Sequence, residues 1–424
     1  MKNRHSILLL LLANFISAVS QGMSMIAIPW YFTSIDGMAQ FGWIYVLTNV
    51  MAFFWVPYSG LLTDRFERRK ILMVVMGILG AIILSVGLLG IKLDGLPWLV
   101  VASVFVLTFL NYNIHFPTLY ALVQEMTELK YYGRIASVIE IQGQTAMISA
   151  GAIAAILLSG TTGGGVELFG YMIENLPEIE AWDIHEIFIV DGITYFLGLI
   201  ILTMIKYRPS GNRESNFGTL RSRIRTGLNF LASHPYITIF GLASYAVFVS
   251  VLIERFYLLA PYVSEHLEAG ANVYAAGEMT YSMGAFLAGF TVQYIFRRIH
   301  LTDSIILMTT AVMALFMILF LTQSFVLFYV LGFVLGLCNS GIRIQRVTYL
   351  FSRVPNEVYG RVNSVFNMGN ILFRIVFLAC FSLPFFQQGR NIIYAFLILS
   401  LFLVCAIIVL LLYRKRIIID HNGE

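Results

Sequence analysis

Long apolar stretches alternate along the chain with short polar segments. Twelve of them reach about twenty residues, enough to cross a hydrocarbon core as helices: roughly 7–32, 40–62, 71–91, 97–124, 135–159, 187–205, 236–260, 273–296, 303–322, 325–350, 362–386 and 391–413. Six fall in each half. Two segments interrupt the rhythm. In 206–235, Arg208–Asn212 reads as a flexible linker, and Phe217, Leu220, Ile224, Leu228 and Leu231 follow at three- and four-residue spacing with Arg221 and Arg225 between them. That is the pattern of a basic amphipathic helix on the inner leaflet. In 160–186, Gly160 and Gly163–Gly165 precede Glu167, Glu174, Glu178, Glu180, Asp183 and Glu186, with no Lys or Arg. A solvated loop is expected there, ahead of a binding cap for cationic solutes. The predicted regions are an N-terminal six-helix bundle over 1–205, the linker 206–235, a C-terminal six-helix bundle over 236–413 and a tail over 414–424.

Composition narrows this to a bilayer protein. The chain has 424 residues, 59% hydrophobic and 12% charged, with mean hydropathy +0.82, which is too apolar for a soluble protein of this length. With a cytosolic N-terminus, the cytosolic segments hold 21 of the 27 Lys and Arg residues, and only Lys92 and Arg390 fall on outer loops. Both termini are therefore expected in the cytosol. The net charge of +4 follows from this topology and gives no reason to expect nucleic acid. Lys2 and Arg4 precede a first apolar stretch longer than a cleavable signal core, so that span is expected to be retained. Cys338, Cys380 and Cys405 all lie in predicted spans and the seven His are scattered, so no disulfide, metal, cofactor or catalytic constellation is expected.

Two loop patterns occur twice. Gly60-Leu61-Leu62-Thr63-Asp64-Arg65-Phe66-Glu67-Arg68-Arg69-Lys70 has a worn copy at Gly289-Phe290-Thr291-Val292-Gln293-Tyr294-Ile295-Phe296-Arg297-Arg298, 229 positions later. Tyr132-Gly133-Arg134 and Tyr359-Gly360-Arg361 repeat at an offset of 227. Nearly equal offsets for unrelated motifs mean two homologous halves, an architecture that belongs above all to transporters.

Gly60-x-x-x-Asp64-Arg65-x-x-Arg68-Arg69 resembles the loop signature of the major facilitator superfamily. The twelve spans, long central loop and eroded second copy are similar to that superfamily over essentially the whole chain. His115-Phe116-Pro117 and Tyr359-Gly360-Arg361 most resemble its bacterial macrolide-efflux and siderophore-export branch. The resemblance implies two pseudo-symmetric bundles, alternating access, a bacterial cytoplasmic membrane and a monomer that functions alone. It also implies that Gly60, Asp64, Arg65, Arg68, Arg69, Gly360 and Arg361 serve the cytosolic gate. Gly60 would allow a close helix approach, and Asp64 would latch onto the N-terminus of span eleven near Asn363. A topogenic charge cluster is the plainer alternative. Glu67 departs from the signature, where Gly is common. Span four lacks the Arg, and span five the Gly-Pro pair, of many drug–proton antiporters.

The predicted spans hold four acids, Glu140, Asp191, Glu254 and Glu278, and four bases, Arg255, Arg343, Arg346 and Arg374. Each would cost about 2.5–3.5 kcal/mol at mid-membrane on insertion scales. Asp191 and Glu278 lie near outer span ends, where interfacial solvation is the expected explanation. Glu140 and Glu254 are the candidates for proton coupling, because a buried carboxyl can take up a proton and Arg cannot. A static pair of Glu140 with Arg343, Arg346 or Arg374 is the alternative. By resemblance, spans one, four, seven and ten line the cavity. Its candidate residues are Asn14, Gln21, Asn111, Asn113, His115, Arg255, Asn339, Arg343, Arg346 and Arg374, with His115 read as a hydrogen-bonded neighbour of Pro117. The 34 Phe, 22 Tyr and 17 Met could wall a site for amphipathic molecules or face lipid. The expected function is export of an amphipathic organic compound, drug-like or siderophore-like, with a coupling proton. The alternatives are an importer of a small organic solute and, in another class, a transport-inactive receptor or a membrane-embedded enzyme.

Overall fold

The computed structural model describes residues 4–128, 131–161, 164–206 and 220–422. All twelve apolar stretches are helical. In chain order, the elements are α1 (Arg4–Ser34), α2 (Met38–Arg65), α3 (Arg68–Leu93), α4 (Trp98–Met126), α5 (Tyr132–Ser159), β1 (Val166–Leu168), β2 (Tyr171–Ile173), α6 (Ile184–Thr203), α7 (Leu220–Ser233) and α8 (Pro235–Ile253). There follow α9 (Ala271–Ile295), α10 (Leu301–Leu321), α11 (Phe325–Arg353), α12 (Asn356–Phe381) and α13 (Ile393–Asn422). Among the described residues, eleven helices are long and apolar enough to cross a membrane. The remaining predicted span is α9, at 25 residues, whose Gly277, Glu278, Thr280, Ser282 and Gly284 dilute its hydropathy.

Local chemistry sets several of these boundaries. Asp183 and Glu186 form a reciprocal capping box at the start of α6, and Ser324 caps α11 by accepting from the Leu327 N–H. Two π-helical turns, Glu254–Leu258 and Tyr262–His266, carry α8 on to His266, beyond the expected end near 260. Pro261 lies between them and offers no N–H to the helical ladder, a defect that widened turns accommodate. In α13, Arg414 binds Asp303 at the start of α10, with Nη2 donating to Oδ2 at 2.6 Å, and the helix continues well past residue 413.

Small residues set helix separation where water cannot drive association. A Cβ on Gly87 of α3 would lie 2.8 Å from the backbone nitrogen of Ile189 on α6, and one on Gly192 of α6 would lie 2.7 Å from the backbone nitrogen of Leu84. Gly284 of α9 and Gly336 of α11 similarly meet the Phe333 and Tyr281 carbonyls.

The expected helix of the first irregular segment is present as α7, and the acidic segment is more ordered than a plain loop. The Arg208–Asn212 linker and Phe217 fall outside the described residues. Helix α7 buries Gly227 and Leu231, and Gly227 lies against the Arg361 carbonyl and Val365 of α12. Leu228, on the apolar stripe, is 50% exposed, so the helix packs on α12 through Gly227 and keeps an exposed apolar position. Beyond α5, β1 and β2 pair antiparallel, with Val166 opposite Ile173. Their two-residue turn, Phe169-Gly170, has both φ angles positive, at 56° and 81°, as tight hairpins prefer. Thr161 ties the hairpin base to its return strand, donating to the Pro177 carbonyl and accepting from the Ile179 N–H.

The chain resolves into two compact units whose limits differ from the sequence halves. One comprises Met1–Gly37, Phe54–Phe217 and Ala269–Met279; the other comprises Met38–Phe53, Gly218–Glu268 and Thr280–Glu424. In the second unit, Phe41 lies against Tyr257 and Tyr45 against Phe256, and Gly42 fits beside Ser382 and Tyr257. In the first, Tyr274 stacks on Trp30, and Asn272 donates to the Glu167 carbonyl. Aromatic anchors on α2 and α9 thus draw the N-terminal end of each into the unit built mainly from the other half.

Candidate functional site: buried polar clusters within the two units

On α1, Asn14, Ser17, Gln21 and Ser24 recur at spacings of three and four and share one face. Helices α4 and α6 meet that face with two i, i+4 pairs, Asn111 with His115 and Asp191 with Tyr195. Gln21 Nε2 donates to the Tyr195 hydroxyl at 2.9 Å, and Asn111 Nδ2 reaches the same oxygen at 3.4 Å. His115 Nε2 and Asn14 Oδ1 are 2.9 Å apart, and Ser24 Oγ donates to Asp191 Oδ2 at 2.7 Å. Four of the predicted cavity residues, Asn14, Gln21, Asn111 and His115, therefore share one polar seam inside the first unit. Asn113 does not join it, because its amide donates to the Phe109 carbonyl of its own helix.

Asp191 departs from the sequence expectation. Interfacial solvation was expected, yet the residue is 0% exposed and its Oδ1 accepts no hydrogen bond among the described residues. Ser24 of α1 lies against it, and its neighbour Gly192 packs closely on Leu84 of α3. Glu278 is likewise buried, at 4% exposure.

In the second unit, guanidinium groups lie on aromatic faces. Arg255 sits 4.1 Å from the Tyr281 ring centroid, and Asn339 Nδ2 donates to the Tyr281 hydroxyl at 2.7 Å. Arg343 and Glu254 belong to the same electrostatic neighbourhood of Tyr281. Arg346 sits 3.7 Å from the Tyr245 ring centroid and donates to the Ser244 carbonyl at 3.0 Å. Arg374 forms a hydrogen bond with Tyr45. The π-helical turn that begins at Glu254 adds a residue to the local register, so it helps to aim Arg255 at Tyr281. Glu140, on α5, accepts from Gln144 one turn along its own helix at 3.2 Å.

Within the loop signature, Arg68 forms an ion pair with Glu125 at the end of α4. Arg69 donates to the Leu202 and Thr203 carbonyls at the C-terminus of α6, an end that favours cations. These two gate candidates therefore staple three helices of the first unit. Arg65 lies over Phe66, and Glu67, at the non-Gly position, pairs with Lys70 at 2.9 Å. A Cβ at Gly60 or Gly360 would meet nothing within 4 Å, so the close approach expected of Gly60 is not made in this structure. The Arg361 carbonyl receives Gly227 of α7.

Sequence reading missed Tyr195, Tyr281, Tyr245 and Tyr45, each the aromatic partner of a polar candidate. Ser24 was accessible, since it continues the Asn14–Gln21 stripe by one further step. Nothing in the sequence singled out those tyrosines among 22. Among the described residues, no group of three or more His, Cys, Asp and Glu side chains could hold a metal.

The sequence matches the family profile described as Major Facilitator Superfamily over residues 10–378. No curated protein matches it significantly. Similar solved structures include the nucleoside transporter NupG, with TM-score 0.69 and 13% identity over 97% of this chain and 99% of that one. A bacterial homologue of the iron transporter ferroportin, in an inward-facing state, gives 0.68 and 15%, covering 96% of this chain and 98% of that one. A D-xylose–proton symporter gives 0.68 and 13%, covering 95% and 97%. At these identities the likeness is one of fold.

Proposed function

The chain belongs to the major facilitator superfamily, a family of multi-span membrane transporters, and on that premise we propose that it exports amphipathic organic compounds across a bacterial cytoplasmic membrane by alternating access. One observation carries the proposal: polar side chains cluster at membrane depth on α1, α4, α8 and α11, the spans that line the pathway in this superfamily. Such groups are too costly to leave facing lipid. Arg255, Arg343 and Arg346 stand beside the rings of Tyr281, Tyr245 and Phe248. That combination suits a ligand with an apolar body and a hydrogen-bond-accepting group. The direction, and the drug-like or siderophore-like class, rest on His115-Phe116-Pro117 and Tyr359-Gly360-Arg361. A proton drives the cycle, with Glu140 and Glu254 as its candidate carriers, and the gate uses Asp64 as its latch. Accumulation of a compound panel in cells with and without the protein, followed by transport in proteoliposomes, tests the reading. Lower accumulation in expressing cells is the expected result; higher accumulation would make the protein an importer.

A further inference from the structure

We infer that Asp191 is a proton-binding site inside the first compact unit, set within the helix bundle and separate from the coupling candidates Glu140 and Glu254. Its carboxyl group is wholly buried, held by Ser24 through Oδ2, with Oδ1 unpartnered among the described residues. An ionised carboxylate in a low-dielectric interior needs a counter-ion or several donors to offset its lost hydration. Neither is present. On the facing side, α1 has no ionisable side chain between His5 and Tyr31. The cations of α3, Arg68–Lys70 and Lys92, lie at its two ends, and between them it presents Leu84 and glycines to α6. Helix α4 offers Tyr112 and His115, deeper along the seam. On α6 itself, Tyr195 lies one turn further in, and His185 and Glu186 lie more than one turn toward the outer end.

A proton supplies the missing charge. Its binding at Oδ1 forms one O–H bond, turns the carboxylate into a neutral acid and leaves the Ser24 hydrogen bond in place. The proton comes from water on one side of the membrane and returns to water when the O–H bond breaks. A metal cation would need more oxygen ligands than Ser24 and one carboxylate supply. From Ser24 to Asn14 the seam extends about 15 Å along α1 at 1.5 Å per residue, so polar groups lead from Asp191 toward His115. The use of this proton in coupling rests on the transporter reading above; its binding does not.

Infrared spectroscopy of the full-length protein in lipid, as a difference between acidic and alkaline pH, reads the C=O stretch of protonated carboxyl groups without any substrate. The expected result is a titrating band that shifts when aspartate is isotope-labelled. It should persist in Glu140→Gln and Glu254→Gln and vanish in Asp191→Asn. Should Asp191→Asn fail to fold, Ser24→Ala gives the second reading. It keeps the carboxyl group but removes the donor to Oδ2, so the same band should move in frequency. An aspartate band absent from the wild type, retained in Asp191→Asn or unmoved by Ser24→Ala would overturn the assignment. So would its disappearance on adding sodium at fixed pH, which would indicate a metal ion. Proteoliposomes that transport nothing would count against the proposed function and leave this readout intact.

Discussion

Single side chains in this protein do two separable jobs, and Tyr281 shows how to tell them apart. Its ring carries Arg255, and its hydroxyl accepts from Asn339. Tyr281→Phe keeps the ring and strands a buried amide donor, a loss of about 1–3 kcal/mol that thermal unfolding in detergent should register. Tyr281→Ala should cost more, because it also removes the aromatic face and its packing. Glu140 is read by transport. Gln mimics the protonated acid but cannot release a proton, so Glu140→Gln should abolish accumulation against a gradient and leave downhill exchange largely intact. Reconstituted Glu140→Gln protein that still concentrates substrate with wild-type pH dependence would remove Glu140 from coupling and leave it as a structural partner of Gln144.

At the level of elements, the contact between α3 and α6 leaves no room for side chains at Gly87 or Gly192. Gly87→Leu should therefore push the helices apart and destabilise the first unit by about 1–3 kcal/mol or more, as overpacking does. Substitution at Gly60, where a Cβ meets open space, should leave thermal stability unchanged in this state. Helix α2 also carries the proposed latch. Asp64→Asn keeps the shape and loses the charge that a helix N-terminus favours, so paired cysteines at the cytosolic ends of α2 and α12 should cross-link less readily than in an otherwise wild-type protein. Equal cross-linking would count against the latch. The spans themselves were legible because a stretch of about twenty apolar residues has few other fates. Helix α7 was legible as an element because amphipathic spacing marks a helix with one apolar face, whereas its Gly227 contact with α12 is a fit of shapes that the spacing does not encode.

For the whole molecule, the topology rests on charge: Lys and Arg gather on the side assigned to the cytosol. A cysteine introduced at the exposed Glu174, in a background lacking Cys338, Cys380 and Cys405, should react with an impermeant reagent added from outside. Labelling only from the cytosol would invert the topology. The repeat offsets made the two halves visible in the sequence, but not the exchange of the N-terminal ends of α2 and α9 between compact units. That exchange depends on shape fits such as Gly42 against Tyr257, which no linear pattern encodes. Asp191 was misjudged for a related reason: distance from a span end measures depth, whereas burial depends on how closely α1 and α3 pack on α6. The exchange also bears on how the protein is made. Tyr45 donates to the Leu252 carbonyl, 207 residues further along the chain. Synthesis runs from the N-terminus, so α2 enters the bilayer long before α8 exists, and its Phe41, Gly42 and Tyr45 face must wait in lipid for a partner still inside the ribosome. Docking of this α2 face therefore follows the synthesis of α8, and order along the chain is not order of assembly.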